Sequence, residues 1–426
     1  MLNPSPPGDP TVDSAGRPGP NRDYWWLWTG SGVAMLGRQL SGIAYPLAAL
    51  AVTGSPLDAG AVGTVGLAAR LVCRLPAGHL ADRWNRRSAM VVADAGCAAV
   101  LAAVAVTAAV GALGIWLLVA AALAEGALGE LYRPASTAAI RRVVPPEQMP
   151  AAVARLEARS YAATIAGPPL GGVLYSAARA APFAGDAAAY TYSLLATLAV
   201  RTPLRLHTDT TAPRRQDRAL TAGLAWLWSN QLLRALLLAA AGENFVFRAL
   251  DLAVVLAARN AGATSTQIGA MLAIAGICGL AGALIATRLP ATTHPSRVVL
   301  GIFWSTTALV PLMAIDPNPY LLGALLGAAG MLAPAANTLL VSYVIAITPD
   351  HLQGRVDAAG NFITGIATPA APSVAALLIV ATGPHGAFLA LAALMAAVTL
   401  AATATPTIRH IPRLDQLVTP PSPPRP

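Results

Sequence analysis

Long apolar segments separated by short polar loops make up most of the chain. Each segment is close to the length of about 20 residues that an α-helix needs to cross the hydrocarbon core of a bilayer. Twelve such segments occur, at 25–52, 58–81, 88–110, 113–139, 151–178, 183–202, 232–258, 265–287, 297–315, 320–347, 357–382 and 385–405. The least apolar internal stretch, 201–219, divides them six and six. The pattern predicts an all-α integral membrane protein with twelve transmembrane helices in two six-helix bundles.

The two sets of six segments resemble each other. Pro134-Ala135 late in the fourth segment is matched by Pro334-Ala335 late in the tenth. Internal repeats of this kind are typical of secondary transporters, so the two bundles should be pseudo-symmetric. The predicted domains are a disordered tail at 1–24, an N-terminal bundle at 25–202, a cytoplasmic linker with an interfacial amphipathic helix at 203–231, a C-terminal bundle at 232–405 and a Pro-rich tail at 406–426.

Composition and charge agree with a membrane protein. Of the 426 residues 56% are hydrophobic and 11% charged, which excludes an ordinary water-soluble domain. A net charge of +9 would suggest nucleic acid in a soluble protein, but here thirteen loop arginines lie on the side of the N-terminus against two, Arg179 and Arg259, on the other. The positive-inside rule then predicts cytoplasmic termini and arginines that face lipid headgroups, with no role for nucleic acid. The Ala- and Arg-rich composition indicates a bacterial cytoplasmic membrane.

A short run of charged residues between the second and third segments is the most specific motif in the sequence. Residues 78–87 read Gly-His-Leu-Ala-Asp-Arg-Trp-Asn-Arg-Arg. This motif resembles the loop signature of the major facilitator superfamily, which usually has Gly where this chain has Asn85. The resemblance implies a cytoplasmic gate that latches the outward-facing state; the alternative is a charge cluster that only sets topology. We expect Asp82 to reach toward the start of the eleventh segment, near Asp357. The candidate gate residues are Gly78, Asp82, Arg83, Arg86, Arg87 and Asp94.

The fifth segment contains Gly167-Pro168-Pro169-Leu170-Gly171-Gly172. Prolines remove backbone donors and kink a helix, and glycines permit close packing at the bend. The element resembles one found in antiporters of the superfamily; a plain packing kink is the alternative. Together with the loop at 349–356 and Asp186-Ala187, it resembles the drug/proton antiporter branch that includes macrolide-efflux and enterobactin exporters. Arg38 stands where that branch often has an acidic residue, so its proton-coupling assignments for the first segment do not transfer.

Ionisable residues inside the membrane are costly and suggest function. Glu130 and Arg133, and likewise Arg248 and Asp251, stand three residues apart and can pair along their own helices. Across the helix interface, Arg70 and Arg74 are predicted to meet Glu130 and Glu125. The predicted proton-coupling residues are Glu125 and Glu243, with Glu130 and Asp251 as further candidates, against structural ion pairs as the alternative. The predicted substrate cavity is lined by Arg38, Tyr45, Arg70, Tyr132, Tyr161, Asn244 and Phe247, and ordinary helix packing is the other interpretation of these residues.

The function predicted from these features is export of a small hydrophobic or amphipathic compound by proton antiport and alternating access. A slight excess of arginine in the first bundle favours an anionic or zwitterionic compound. The sequence has no P-loop, no histidine cluster and no catalytic triad arrangement, so we expect no enzyme activity, no metal and no cofactor other than coupling protons. The chain is expected to work as a monomer. Uptake by a symporter or uniporter of the same fold, an integral-membrane enzyme and a non-transporting scaffold remain as alternatives.

Overall fold

The computed structural model describes residues 22–202, 217–286, 294–349 and 352–412. Several predicted features lie outside the described residues: most of the N-terminal tail, the linker at 203–216, the region at 287–293 and the tail at 413–426. The side chains of Gly78, Asp82 and Arg83 also lie outside the description, although their backbone belongs to a helix.

The first half of the chain forms six long helices. Their bounds are α1 (Arg22–Thr53), α2 (Pro56–Arg83), α3 (Arg86–Ala109), α4 (Ile115–Val143), α5 (Met149–Ala177) and α6 (Ala181–Ala199). Polar caps begin two of them, because the first backbone N–H groups of a helix lack intrahelical partners. Ser55 accepts from the N–H of Asp58 at 3.3 Å, and Asn85 accepts from that of Arg87 at 3.0 Å. The start of α1 is joined to the end of α6, since Asp23 accepts from the backbone N–H groups of Arg201 and Thr202.

The second half opens with an amphipathic helix and continues with broken helices. Their bounds are α7 (Asp217–Ser229), α8 (Gln231–Asn260), α9 (Ser265–Ala286), α10 (Pro295–Leu309), α11 (Pro319–Gly330), α12 (Ala333–Ile347), α13 (Gln353–Gly365), α14 (Ala371–Ala404) and α15 (Pro406–Arg409). The tenth predicted segment is divided into α11 and α12 just before Pro334, and the eleventh into α13 and the first part of α14 around Pro369 and Pro372. Proline cannot donate to the preceding turn, which explains both breaks. Within α14 the chain reverses at Gly383, whose φ of 71° suits glycine.

The helices pack as two bundles. In the first, α1 packs on α5 and α6, and α2 and α3 pack on α4; in the second, α8 packs on α14, and α9 on α11. Seven described segments are apolar and long enough to cross a membrane by length and composition alone, and one of them, Gln353–Ala404, spans the reversal at Gly383. The predicted fold class, an all-α membrane protein of two six-helix bundles, is confirmed. The amphipathic helix α7 packs on α13, with Leu227 buried and Trp228 exposed.

The two bundles meet through small residues near one face of the molecule. We call the face at which α1 starts and α14 ends the terminal face. The small residues lie near the other face, which carries the loops at 54–55, 178–180 and 261–264 and is called the opposite face. A Cβ added to Gly60 would lie 2.7 Å from the Cβ of Ala376, and one added to Gly172 would lie 2.3 Å from the Ser265 oxygen. The hydroxyls of Thr64 and Ser373 are 2.7 Å apart. This contact, hereafter the seam, holds the halves together near the opposite face.

Candidate functional site

A cavity of about 980 Å³ lies in the second half of the molecule and reaches toward the terminal face. Its walls come from α8, α10, α12 and α13, and α5 of the first half closes one side with Tyr161 and Thr164. Apolar side chains such as Leu237, Phe303 and Val344 form much of the surface. Large, mostly apolar cavities with a few polar groups are typical of small-molecule binding sites.

One face of α8 supplies several of the polar groups of this cavity. Glu243, Phe247 and Asp251 are spaced by four residues and therefore share that face. The Oε1 atom of Glu243 is buried and has no hydrogen-bond partner among the described residues. Asp251 is paired, because its Oδ2 atom accepts from Arg248 at 3.1 Å. Glu243 is thus the carboxylate of this wall for which the described residues provide no counter-charge.

A second polar group lies inside the first bundle, where α1, α4 and α6 meet. Glu125 is 5% exposed, and its Oε1 atom lies 3.8 Å from the Nε of Arg38. Tyr45 donates to the Oε2 atom of Glu125 at 3.1 Å, and Tyr190 donates to Oε1 at 3.4 Å. Arg38 also donates to the Tyr190 hydroxyl at 3.2 Å. Two tyrosines and one arginine therefore satisfy the buried Glu125 carboxylate.

The same polar cluster contains two further buried carboxyl groups. In the middle of α1, Ser41 lies 2.5 Å from the Oδ2 atom of Asp186, which is fully buried. Toward the terminal face, Asp94 of α3 is 1% exposed and faces Ser193 of α6. The Ser193 hydroxyl lies 3.4 Å from that of Tyr132. We call Ser41, Asp94, Glu125 and Asp186, with Arg38, Tyr45, Tyr132, Tyr190 and Ser193, the first-half polar cluster.

The predicted ion pairs are partly correct. The local pairs Glu130–Arg133 and Arg248–Asp251 are confirmed, with distances of 3.0 and 3.1 Å. The prediction that Glu125 pairs with Arg70 or Arg74 is wrong, because α1 also packs on α4 and brings Arg38 to it.

The residues predicted to line one substrate cavity separate into three places. Tyr161, Asn244 and Phe247 line the cavity of the second half. Arg38, Tyr45 and Tyr132 belong to the first-half polar cluster. Arg70 is exposed on α2, while Arg74 and Glu130 share a separate cleft of about 440 Å³.

The gate candidates that the structure describes lie at two depths. Arg86 begins α3, and Arg87 donates to the backbone oxygen of Leu198, which ties α3 to the end of α6. Asp94 lies deeper, in the first-half polar cluster, with its Oδ2 atom buried and without a hydrogen-bond partner among the described residues.

The glycine- and proline-rich element forms part of the continuous helix α5. A Cβ at Gly167 would lie 2.2 Å from the Cβ of Gln39, and one at Gly171 would lie 2.7 Å from the Leu40 oxygen. Gly172 lies against α9, as does the Pro168-Pro169 pair, whose backbone is close to Gly269. The element therefore packs α5 tightly against α1 and, across the seam, against α9.

Sequence reasoning missed four members of the polar cluster: Ser41, Asp186, Tyr190 and Ser193. Asp186 entered only as part of a family resemblance, because it lies near the end of an apolar segment. A signal was present, since Asp186, Tyr190 and Ser193 are spaced by four and three residues and share one face of α6.

Two helical bundles that meet at a seam, with a large cavity and buried carboxylates, define a polytopic membrane transporter of small molecules. The chain belongs to the Major Facilitator Superfamily, whose family model matches residues 27–256. It is 29% identical over 400 residues to the multidrug efflux pump Tap of Mycolicibacterium fortuitum, covering 88% of this chain and 93% of that protein.

Solved structures of the same fold include two transporters. The nucleoside transporter NupG matches with a TM-score of 0.70 and 13% identity, over 90% of this chain and 99% of that one. A bacterial homologue of the human lysosomal transporter Spinster, in an inward-facing and unoccupied conformation, matches with a TM-score of 0.68 and 13% identity, over 94% of this chain and 98% of that one. At this identity both matches define the fold alone.

Proposed function

We propose that this protein exports a small hydrophobic or amphipathic compound from a bacterial cell in exchange for protons. The observation that carries the proposal is Glu243, a half-buried carboxylate in the wall of a largely apolar cavity of about 980 Å³, whose buried Oε1 atom has no hydrogen-bond partner among the described residues. Similarity over most of the chain to a multidrug efflux pump supports the direction of transport. The protein would act as a monomer in the cytoplasmic membrane, with protons as the coupling ion and no organic cofactor.

The terminal face is the cytoplasmic face in this proposal, in accordance with the arginine bias of the loops. The seam then closes the periplasmic side while the cavity reaches toward the cytoplasm, as an exporter requires when it loads its substrate. The role of Asp82 and Arg86 in latching the outward-facing state stays a prediction from the sequence motif.

Glu243 couples the two fluxes through electrostatics. A carboxylate in a medium of low dielectric constant must be neutralised by a proton or by a positive group. A cationic or polar substrate in the cavity would stabilise the charged form and release the proton, and a returning proton would weaken binding of the substrate. The cavity wall is acidic, because it carries the carboxyl groups of Glu243, Asp251 and Asp357 and the single cation Arg248 among the described lining residues. An acidic wall favours a cationic or neutral compound over the anionic one suggested by the arginines of the first bundle.

Everted membrane vesicles test this function. With ethidium as the probe, we expect the dye to accumulate when the vesicle lumen is acid, because protons then leave as the dye enters. The E243Q variant should lose this accumulation and retain dye exchange at equal pH, whereas the exposed carboxylate of Glu157 offers a control in E157Q. Accumulation that requires an alkaline lumen would assign uptake by symport instead, and gradient-driven transport by E243Q at the wild-type rate would exclude Glu243 as the coupling residue.

A further inference from the structure

Asp186 is a fully buried carboxyl group that the proposed transport cycle has not used. It lies on α6, five residues after the helix begins, and its carboxyl group lies beside Gly37 and Ser41 in the middle of α1. A Cβ added to Gly37 of α1 would lie 2.5 Å from its Oδ1 atom, so glycine at this position lets the carboxyl group approach α1. The Oδ1 atom is buried and has no hydrogen-bond partner among the described residues.

The contacts of Ser41 bear on whether the carboxyl group of Asp186 carries a proton. The Ser41 hydroxyl lies 3.2 Å from the backbone oxygen of Arg38 and 2.5 Å from the Oδ2 atom of Asp186. A serine hydroxyl has one hydrogen to donate. An ionised Asp186 would take the Ser41 hydrogen and leave the 3.2 Å contact without one, whereas a protonated Asp186 supplies its own hydrogen and lets both contacts form. The geometry therefore fits a protonated Asp186 that donates to Ser41 while Ser41 donates to Arg38.

The charges around Asp186 point to the same state. The titratable groups that face it are Arg38 and Tyr45 on α1, Cys97 on α3, Glu125 on α4 and Tyr190 on α6. Among these described groups Arg38 carries the positive charge, and it already lies 3.8 Å from Glu125. One guanidinium cannot neutralise two carboxylates in the interior of a membrane bundle. A second carboxylate at this place is therefore left without a counter-charge among the described residues.

We propose that Asp186 is a proton-binding site of the first bundle, with Ser41 as its hydrogen-bond partner and Gly37 as the residue that makes room for it. The inference rests on the proposed proton coupling and adds a site separate from Glu243. The O–H bond of the carboxyl group breaks when water reaches it, and the proton passes to that water.

Infrared difference spectroscopy tests the site without any substrate. The purified full-length protein in lipid nanodiscs is titrated with acid and base, and the carbonyl stretch of neutral carboxyl groups is recorded. We expect a band from neutral buried carboxyl groups in the wild type, the loss of one component of this band in D186N, and its full retention in the control D316N, which removes a carboxyl group from an exposed loop at the opposite face. A spectrum of D186N with the wild-type band would overturn the assignment.

A second variant keeps the test informative where D186N does not fold. S41A removes the hydrogen-bond partner of Asp186, so the carbonyl band should move in frequency, and an unmoved band would refute the assigned contact. The outcome is independent of transport direction. A band assigned to Asp186 together with failed proton-driven dye export would reject the proposed function and keep the site, whereas dye export with an unaltered D186N spectrum would reject the site and keep the function.

Discussion

Replacement of Gly172 by alanine tests whether the seam holds the opposite face closed. Gly172 of α5 lies against α9, where an added Cβ would be 2.3 Å from the backbone oxygen of Ser265 and 3.1 Å from the Cα of Gly269. Both neighbours are backbone atoms, so no side-chain rotation relieves the overlap. The two helices, and with them the two halves, must separate.

The size of the effect follows from this overlap. Optimal contacts between carbon atoms are about 3.5–4.0 Å, so the new methyl group intrudes by roughly 1 Å. Overpacking of a well-packed contact costs about 1–3 kcal/mol. The cost applies only while the seam is closed, so the equilibrium should move by about 5- to 150-fold toward the state in which the seam is open.

Distances between spin labels measure this equilibrium. Labels on A112C and D316C, in a background with the native cysteines replaced, report the separation of the halves at the opposite face. G172A should populate longer distances than the wild type. The control is G279A on α9, because nothing lies within 4 Å of a Cβ at that position. Equal distance distributions for wild type and G172A would refute the role of the seam.

Two further predictions concern stability. R38Q leaves the buried Glu125 without its cation and should cost about 1–3 kcal/mol, less than for a fully buried pair because the Arg38 side chain is 35% exposed. The loss should be seen as a lower melting temperature. The double variant R38Q/E125Q should recover much of it because a neutral amide needs no counter-charge; a double variant no more stable than R38Q would contradict this pairing. Y343F removes the hydrogen bond from the buried Tyr343 to the backbone oxygen of Pro412 and should cost about 1 kcal/mol. The exposed Tyr320 supplies the control Y320F, and an equal melting temperature for Y343F and Y320F would show that the contact contributes nothing.

The separation of polar groups between the halves bears on coupling. The cavity with Glu243 belongs mainly to the second bundle, whereas Asp94, Glu125 and Asp186 lie within the first. In the proposed cycle, protons bound in one half would influence substrate in the other through the relative position of the halves. The seam is therefore the structural element through which the two sites would communicate, and G172A should alter both.

The sequence alone determined the membrane class, the number of spanning segments and the superfamily. Each of these depends on local properties: the length of an apolar run, the position of prolines, and a motif of adjacent residues in the second loop. The pairs Glu130–Arg133 and Arg248–Asp251 were also predictable, because their partners lie one helical turn apart.

Only the tertiary structure decided which distant groups meet. Arg38 is a partner of Glu125 because α1 packs against α4 as well as α6, and no local pattern records which face of α1 does so. Asp186 is buried because Gly37, far away in sequence, leaves space for it. The separation of the predicted cavity residues into two halves has the same cause: spacing along a helix defines a common face, but the packing of helices decides what that face meets.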